Sequence, residues 1–377
     1  MTDESKVLTT AEEATQEESY YMASQWVLIR RKFFKHKLAI AGLVVIAFMY
    51  LVGIFCGFLA PYTPTQRFSD YIYSPPMRVR FFDQDGRFYP GGFVYGYRGT
   101  LDRATFRRVY EDDTSEVYPI RYFTRGTPYR FWGLVETDIH LFGVEPGGVI
   151  FLFGTDSMGR DLFTRNLYAA RLSLSVGLIG VLIAFVLGCI FGGLAGYYGG
   201  YVDMVIQRLI EFLLAIPQIP FWLALAAALP PDWPIVRVYF GITIVLATMA
   251  WTGQARVVRG KLLQVRKEDF VMAARIAGMT DAGIIAKHLL PSFMSYLIVN
   301  MTLRIPTMIL GETALSFIGV GLRAPAVSWG VLLQSAQSVQ TVALHPWLLL
   351  PALFVIVAVL AINFLGDGLR DAADPYK

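Results

Sequence analysis

The sequence predicts an all-α polytopic membrane protein with about six transmembrane helices, and three observations predict it. Of 377 residues, 55% are hydrophobic and only 16% charged, whereas soluble domains carry about 25% charged residues. Six apolar stretches reach or approach the roughly 20 residues that cross a hydrocarbon core as helix. All the lysines (6, 32, 35, 37, 261, 267, 287 and 377) fall in the N-terminal tail, one internal connection or the C-terminus. That asymmetry marks a cytoplasmic face.

Taken in order, residues 1–37 read as a cytoplasmic tail, acidic at Glu12, Glu13, Glu17 and Glu18 and basic at Arg30, Arg31, Lys32, Lys35 and Lys37. The basic cluster keeps the N-terminus inside, and an even number of spans returns the C-terminus to the same side. The first helix, 38–60, carries no charge and ends at Pro61; at 1.5 Å per residue it measures about 34 Å. A cleaved signal peptide fits poorly, because the charged tail is too long and no small-residue cleavage pattern follows. The core, 154–377, holds five further spans near 172–196, 204–229, 238–252, 293–321 and 347–366. The fifth contains Arg304, Pro306 and Glu312, which predicts a tilted or broken helix.

Residues 61–153 form a periplasmic insert with 11 Arg, 11 Asp plus Glu and no Lys. Turn signals such as Asp85-Gly86, Pro90-Gly91-Gly92 and Pro146-Gly147-Gly148 separate runs like Phe93-Val94-Tyr95-Gly96-Tyr97, a pattern of short strands or hairpins. Its aromatic and arginine content suits contact with a partner and equally suits a cap over its own protein. The cytoplasmic loop, 254–291, reads as two helices, 268–277 and 281–290, separated by Gly278 and stopped by Pro291. Gly278 suits the left-handed position that ends a helix, and Thr280 or Asp281 suits the cap of the next.

Chemistry has little support. Cys56 and Cys189 sit alone in apolar runs, and the four histidines are scattered over both faces, so no disulfide framework, zinc site or other metal cluster assembles. No GxxxxGK[ST] loop is present to cradle nucleotide phosphates, and no basic stripe interleaved with aromatics suggests nucleic acid. Catalytic residues and cofactors are therefore expected to be none. Ionisable residues inside spans, namely Arg208, Glu211, Arg304 and Glu312, are costly and mark pathways or helix interfaces. Pro217 and Asn363 join them as pathway or helix-interface candidates, and Arg208 and Glu211 are spaced to pair along one helix face. Asp156, Arg160 and Asp161 read either as an amphipathic interfacial helix with local ion pairs or as a contact or gate at the outer mouth.

The residue order Ala273-Ala274-Arg-Ile-Ala-Gly278, then nine residues to His288-Leu-Leu-Pro291, resembles the EAA loop of binding-protein-dependent ABC importer permeases. Met272 replaces the usual leading Glu, and His288 the usual Ile. Gly154-Thr155-Asp156-Ser-Met-Gly159-Arg160-Asp161, then Ala195-Gly196-Tyr197-Tyr198-Gly199-Gly200, then Leu315-Ser316-Phe317-Ile318-Gly319 and Gly366-Asp367 narrow the resemblance to the OppC/DppC type of oligopeptide and dipeptide importers. It covers about 154–375 and the basic first span. The resemblance implies a type I importer fold in the inner membrane. It further implies partnership with a second homologous permease, two ABC ATPase subunits and a periplasmic solute-binding protein. In that setting Ala273, Ala274, Gly278, Asp281, His288 and Pro291 would couple to the ATPase, and the GTDxxGRD residues would lie at the periplasmic mouth. The insert exceeds that of a minimal member, which leaves an oligosaccharide or another solute as the alternative substrate. A stand-alone carrier would need inverted repeats and discontinuous helices around a midplane site, and neither is evident in the sequence.

Overall fold

The computed structural model describes residues 30–103 and 107–373. The acidic stretch 1–24, Lys6, Asp374-Pro375 and Lys377 lie outside the described residues. The first span begins at α1 (Lys37–Ile54), capped by His36, whose Nδ1 accepts from the Ala39 N–H at 3.2 Å. Its expected last turns form a separate short helix, α2 (Cys56–Leu59), after a break at Phe55.

The second span is longer than its apolar run. α3 (Leu162–Tyr198) has 37 residues, about 56 Å at 1.5 Å per residue, so it projects beyond a hydrocarbon core of about 30 Å. The third is not one rod: α4 (Gly200–Ala215) and α5 (Gln218–Ala227) meet at 89°, where Pro217 cannot continue a hydrogen-bonded helix. The fourth, α6 (Ile235–Val265), runs on past the expected end at 252, into the connection read from sequence as 254–291. That connection carries α7 (Asp269–Ile276) and α8 (Asp281–Ser292), the latter with a π-helical turn at Ile285–Leu289.

The fifth span is broken as its sequence predicts. α8 meets the segment Met294–Ile318 at 70°, and that segment is itself divided into α9 (Met294–Thr302) and α10 (Ile305–Ile318). Two short helices, α11 (Trp329–Gln334) and α12 (Val339–Leu344), lead through a 3-10 turn at Pro346–Leu349 into α13 (Leu350–Ala373). Among the described residues, four helices are long and apolar enough to cross a membrane, or up to six if each bent pair is one span.

Packing of α3 against α6 is the broadest helix contact, and small residues allow it. Gly188, Gly192 and Gly196 form a stripe at four-residue spacing. A Cβ at Gly188 would meet Gln254 Cβ at 2.5 Å, at Gly192 the Ala255 carbonyl at 2.5 Å, and at Gly196 Leu262 Cβ at 2.7 Å. In lipid such close approach replaces the hydrophobic drive between helices.

The insert is more regular than a set of short strands. β1 (Arg80–Phe82), β2 (Phe88–Asp102) and β3 (Arg107–Pro119) make an antiparallel sheet in that order, and β4 (Arg121–Phe131) pairs with β5 (Val135–Gly143) as a hairpin. Met77, Val94, Val149, Ile150 and Phe151 form its core. Two contacts tie the hairpin to the end of the first span: buried His140 lies between the Ala60 carbonyl (2.5 Å) and the Thr127 carbonyl (2.9 Å), and Trp132 Nε1 donates to the Ile54 carbonyl at 3.2 Å.

Candidate functional site

At the N-terminal end of α3, residues 154–161 form a tight turn and not the interfacial helix that was one reading of the sequence. Gly154 and Gly159 adopt φ of +73° and +66°, and a Cβ on Gly159 would collide with the Phe68 backbone carbonyl. Asp156 is 2% exposed. It accepts from the Met158 N–H (2.8 Å), the Arg160 N–H (3.0 Å) and Arg160 Nε (2.8 Å), and it also bonds Arg165 Nη1. One buried carboxylate thus balances two guanidinium groups through charge-assisted bonds.

The same turn reaches outward and sideways. Thr155 Oγ1 accepts from the Ser74 N–H at 2.8 Å and donates to the Tyr71 carbonyl, while Trp347 Nε1 donates to the Thr155 carbonyl at 3.0 Å. Asp161 caps α3 by accepting from the Thr164 N–H at 2.8 Å. Burial pushes its carboxyl up to about 7, since desolvation disfavours the charged form. The signature therefore joins the irregular segment that enters the insert, the start of α3 and the start of the last span. Trp347 and Ser74 were not singled out in the sequence reading; both contact the motif through backbone atoms, which leave no sequence pattern.

Near the C-terminal end of α3, α7 ends in a Schellman arrangement. Gly278 has φ +78°, the Met279 N–H reaches the Ala274 carbonyl (3.1 Å), and the Gly278 N–H reaches the Arg275 carbonyl (3.0 Å). Thr280 caps α8 by accepting from the Gly283 N–H at 3.3 Å. Of the six predicted residues, Ala274 is buried, His288 half-buried, and Ala273, Gly278, Asp281 and Pro291 exposed. Beneath them Val271, Ala274, Ile284 and Leu289 pack on Tyr197, Val258 and Leu262. The Tyr197 hydroxyl donates to Asp281 Oδ1 at 2.6 Å and accepts from Arg275 Nη2 at 3.0 Å, so both short helices are tied to the C-terminal end of α3. Tyr197 lay in a quoted motif without a role; a tyrosine amid glycines at a helix end is the signal that could have found it. The outer face shows Phe270, Met272 and Ile276, the last 87% exposed.

The remaining candidates separate. Arg208 and Glu211 pair at 2.9 Å, both exposed in the isolated chain. Glu312 is fully buried and accepts from Ser173 Oγ (3.2 Å) and Ser316 Oγ (2.8 Å); Ser173 Oγ in turn accepts from the Trp329 N–H at 3.2 Å. Glu312 thus joins α3, α10 and α11. Pro217 marks the α4–α5 bend, and Asn363 is half-buried on α13. Among the described residues no group of three or more His, Cys, Asp or Glu is placed to hold a metal ion.

Residues 184–376 match the family model of the binding-protein-dependent transport system inner membrane component, more than half of the chain. The chain belongs to that family. Residues 24–76 of this permease also match the N-terminal TM domain of oligopeptide transport permease C. It is 42% identical over 225 residues to the dipeptide transport system permease protein DppC of Bacillus subtilis strain 168, covering 59% of this chain and 68% of that protein. Against the oligopeptide transport system permease protein OppC of Haemophilus influenzae the identity is 40% over 243 residues, 64% of this chain and 75% of that one. OppC of Escherichia coli K12 gives 41% over 224 residues, 59% and 72%. As an ABC importer permease it is a membrane subunit and not an enzyme.

Proposed function

We propose that this permease forms half of the transmembrane pathway of an ATP-driven importer for oligopeptides or dipeptides. A second homologous permease supplies the other half, two ABC ATPase subunits bind below, and a periplasmic solute-binding protein delivers substrate above. The peptide reading rests on the OppC and DppC relatives. In this reading the chain lies in the inner membrane with both termini cytoplasmic, as the lysine distribution indicates.

The observation that carries the reading is the α7–α8 pair: an exposed apolar rim of Phe270, Met272 and Ile276 over a base locked to α3 through Tyr197. A monomer gains nothing by showing that rim to water, whereas a groove in an ATPase would cover it. When ATP draws the ATPases together, the locked base carries the displacement into α3, and the spans rock from inward-open to outward-open. Ala273, Gly278 and Asp281 lie at the contact, and the 154–161 turn holds the outer mouth. The insert, 61–153, contacts the binding protein or covers the pathway.

The test is reconstitution with both permeases, the ATPases and the binding protein. ATP-dependent peptide uptake is expected, and Gly278→Trp should abolish it by placing bulk on the rim. Uptake that survives Gly278→Trp would sink the coupling assignment.

A further inference from the structure

A cavity of about 380 Å³ lies where two spans are interrupted. Pro217 and Gln218 come from the α4–α5 bend, Arg304 from the turn between α9 and α10, Thr252 and Gly253 from the middle of α6, and Trp222 closes one wall. Arg304 is residue eleven of the 25 in Met294–Ile318, near the middle of that segment. Glu312, two turns away, is engaged by serines, and the Arg304 guanidinium has no hydrogen-bond or ion-pair partner among the described residues.

The strongest donors at this cavity are short of an acceptor, while the Thr252 hydroxyl donates to the Met249 carbonyl at 2.6 Å. Trp222 is 4% exposed and its Nε1–H has no partner. The N-termini of α5 (ten residues) and α10 (14 residues) begin at its wall, with Pro217 and Arg304 at their cap positions and no side-chain cap on either. Free N–H groups and the positive ends of two helix dipoles therefore converge with a cation. No carboxylate lines the cavity. A lone guanidinium facing lipid is too costly to keep, so this face meets a water-filled path or a neighbouring subunit. Broken helices that aim their N-termini at a midplane cavity are a recurring solution for holding anionic substrate groups.

We propose that the Arg304 cavity is a way-station in the pathway that binds the terminal carboxylate of the transported substrate. The inference rests on the peptide reading above. A cavity of this size holds one or two residues of an extended peptide, and several donors around one guanidinium suit a carboxylate's two oxygens better than a single salt-bridge partner would. Binding must remain weak, because a carrier site has to release its load.

The experiment compares uptake of tri-alanine and tri-alanine amide by the complete importer in proteoliposomes, each saturating the same binding protein, so that delivery is matched between wild type and variant. In Arg304→Gln the preference for the free carboxylate should fall roughly tenfold, the scale of one charge-assisted bond, and Arg304→Lys should restore part of it. Gly253→Ala, whose Cβ would lie 3.0 Å from Arg304 Cζ, should lower the preference while keeping the charge. Equal losses for both peptides in a fully assembled Arg304→Gln complex would overturn the proposal, as would an unchanged preference. If Arg304→Gln instead separates the two permeases, the cation pairs with the neighbouring subunit and the proposal is wrong. A wild-type complex that moves neither peptide defeats the peptide reading itself, and this inference falls with it.

Discussion

The turn at 154–161 and the helix pair at 269–291 are the two most specific segments of this sequence, and they use that specificity in opposite ways. In the outer turn the motif's polar groups are turned inward: Thr155, Asp156 and Asp161 are at most 3% exposed, and their partners are Ser74, Arg160, Arg165 and Thr164 of the same chain. In the helix pair the motif secures its base with one tyrosine and leaves apolar side chains outside. A motif thus marks either a joint inside the molecule or a face offered to another one. Only the burial of its side chains tells which.

Breaking the outer joint should have the largest effect on folding. Asp156→Ala leaves Arg165, itself 3% exposed, without its counter-charge, a loss of about 3–5 kcal/mol for a buried ion pair. The expected outcome is poor recovery of folded protein in detergent, read by thermal unfolding and size exclusion. The opposite behaviour is expected of Ile276→Asp. Its side chain touches solvent, so the unfolding midpoint should move within the scale of about 0.5 kcal/mol for surface changes, while co-purification with the ATPases should be lost. If the two variants exchanged these phenotypes, the contrast between joint and docking face would be wrong.

A pH series sharpens the same contrast. Because burial lifts the Asp161 carboxyl to about 7, the folded state holds the proton more tightly than the unfolded chain, whose carboxyl titrates near 3.9. The stability from the protonated form is complete below about pH 4 and is lost as pH rises toward 7. Asp161→Asn keeps an N-cap without that titration, so its unfolding midpoint relative to wild type should rise between about pH 4 and 7; a constant difference would contradict the assignment. The smallest effect is expected at the exposed pair Arg208–Glu211. Arg208→Ala should cost at most about 0.5 kcal/mol, measurable as a nearly unchanged midpoint.

Much of this was legible in sequence because the bilayer simplifies the physics. Apolar length marks candidate spans without any knowledge of packing, and Gly278, Thr280 and Asp161 act through local backbone geometry. Less legible were features that depend on distant partners. The 37-residue length of α3 depends on the cap at Asp161, beyond the apolar run. The 89° bend at Pro217 falls inside a stretch that reads as continuous, and Arg304, Pro306 and Glu312 signal a break in the fifth span without fixing its position at Arg304. Glu312 was read as an interface or pathway residue, and its serine partners join three helices.

The sequence by itself determined that the chain lives in a membrane, where its spans lie and which segments carry the signatures of its family, because each follows from composition or local residue order. Only the tertiary structure decided what those residues touch. It made 154–161 an internal joint where the sequence left an interfacial helix or a contact or gate open, made Tyr197 the link between α3 and the α7–α8 pair, and brought Arg304 to a cavity shared with residues 86 and 87 positions earlier, Gln218 and Pro217. The physical reason is that charge balance and hydrogen-bond satisfaction are settled between segments far apart in sequence, and one strand of residues carries no record of its neighbours.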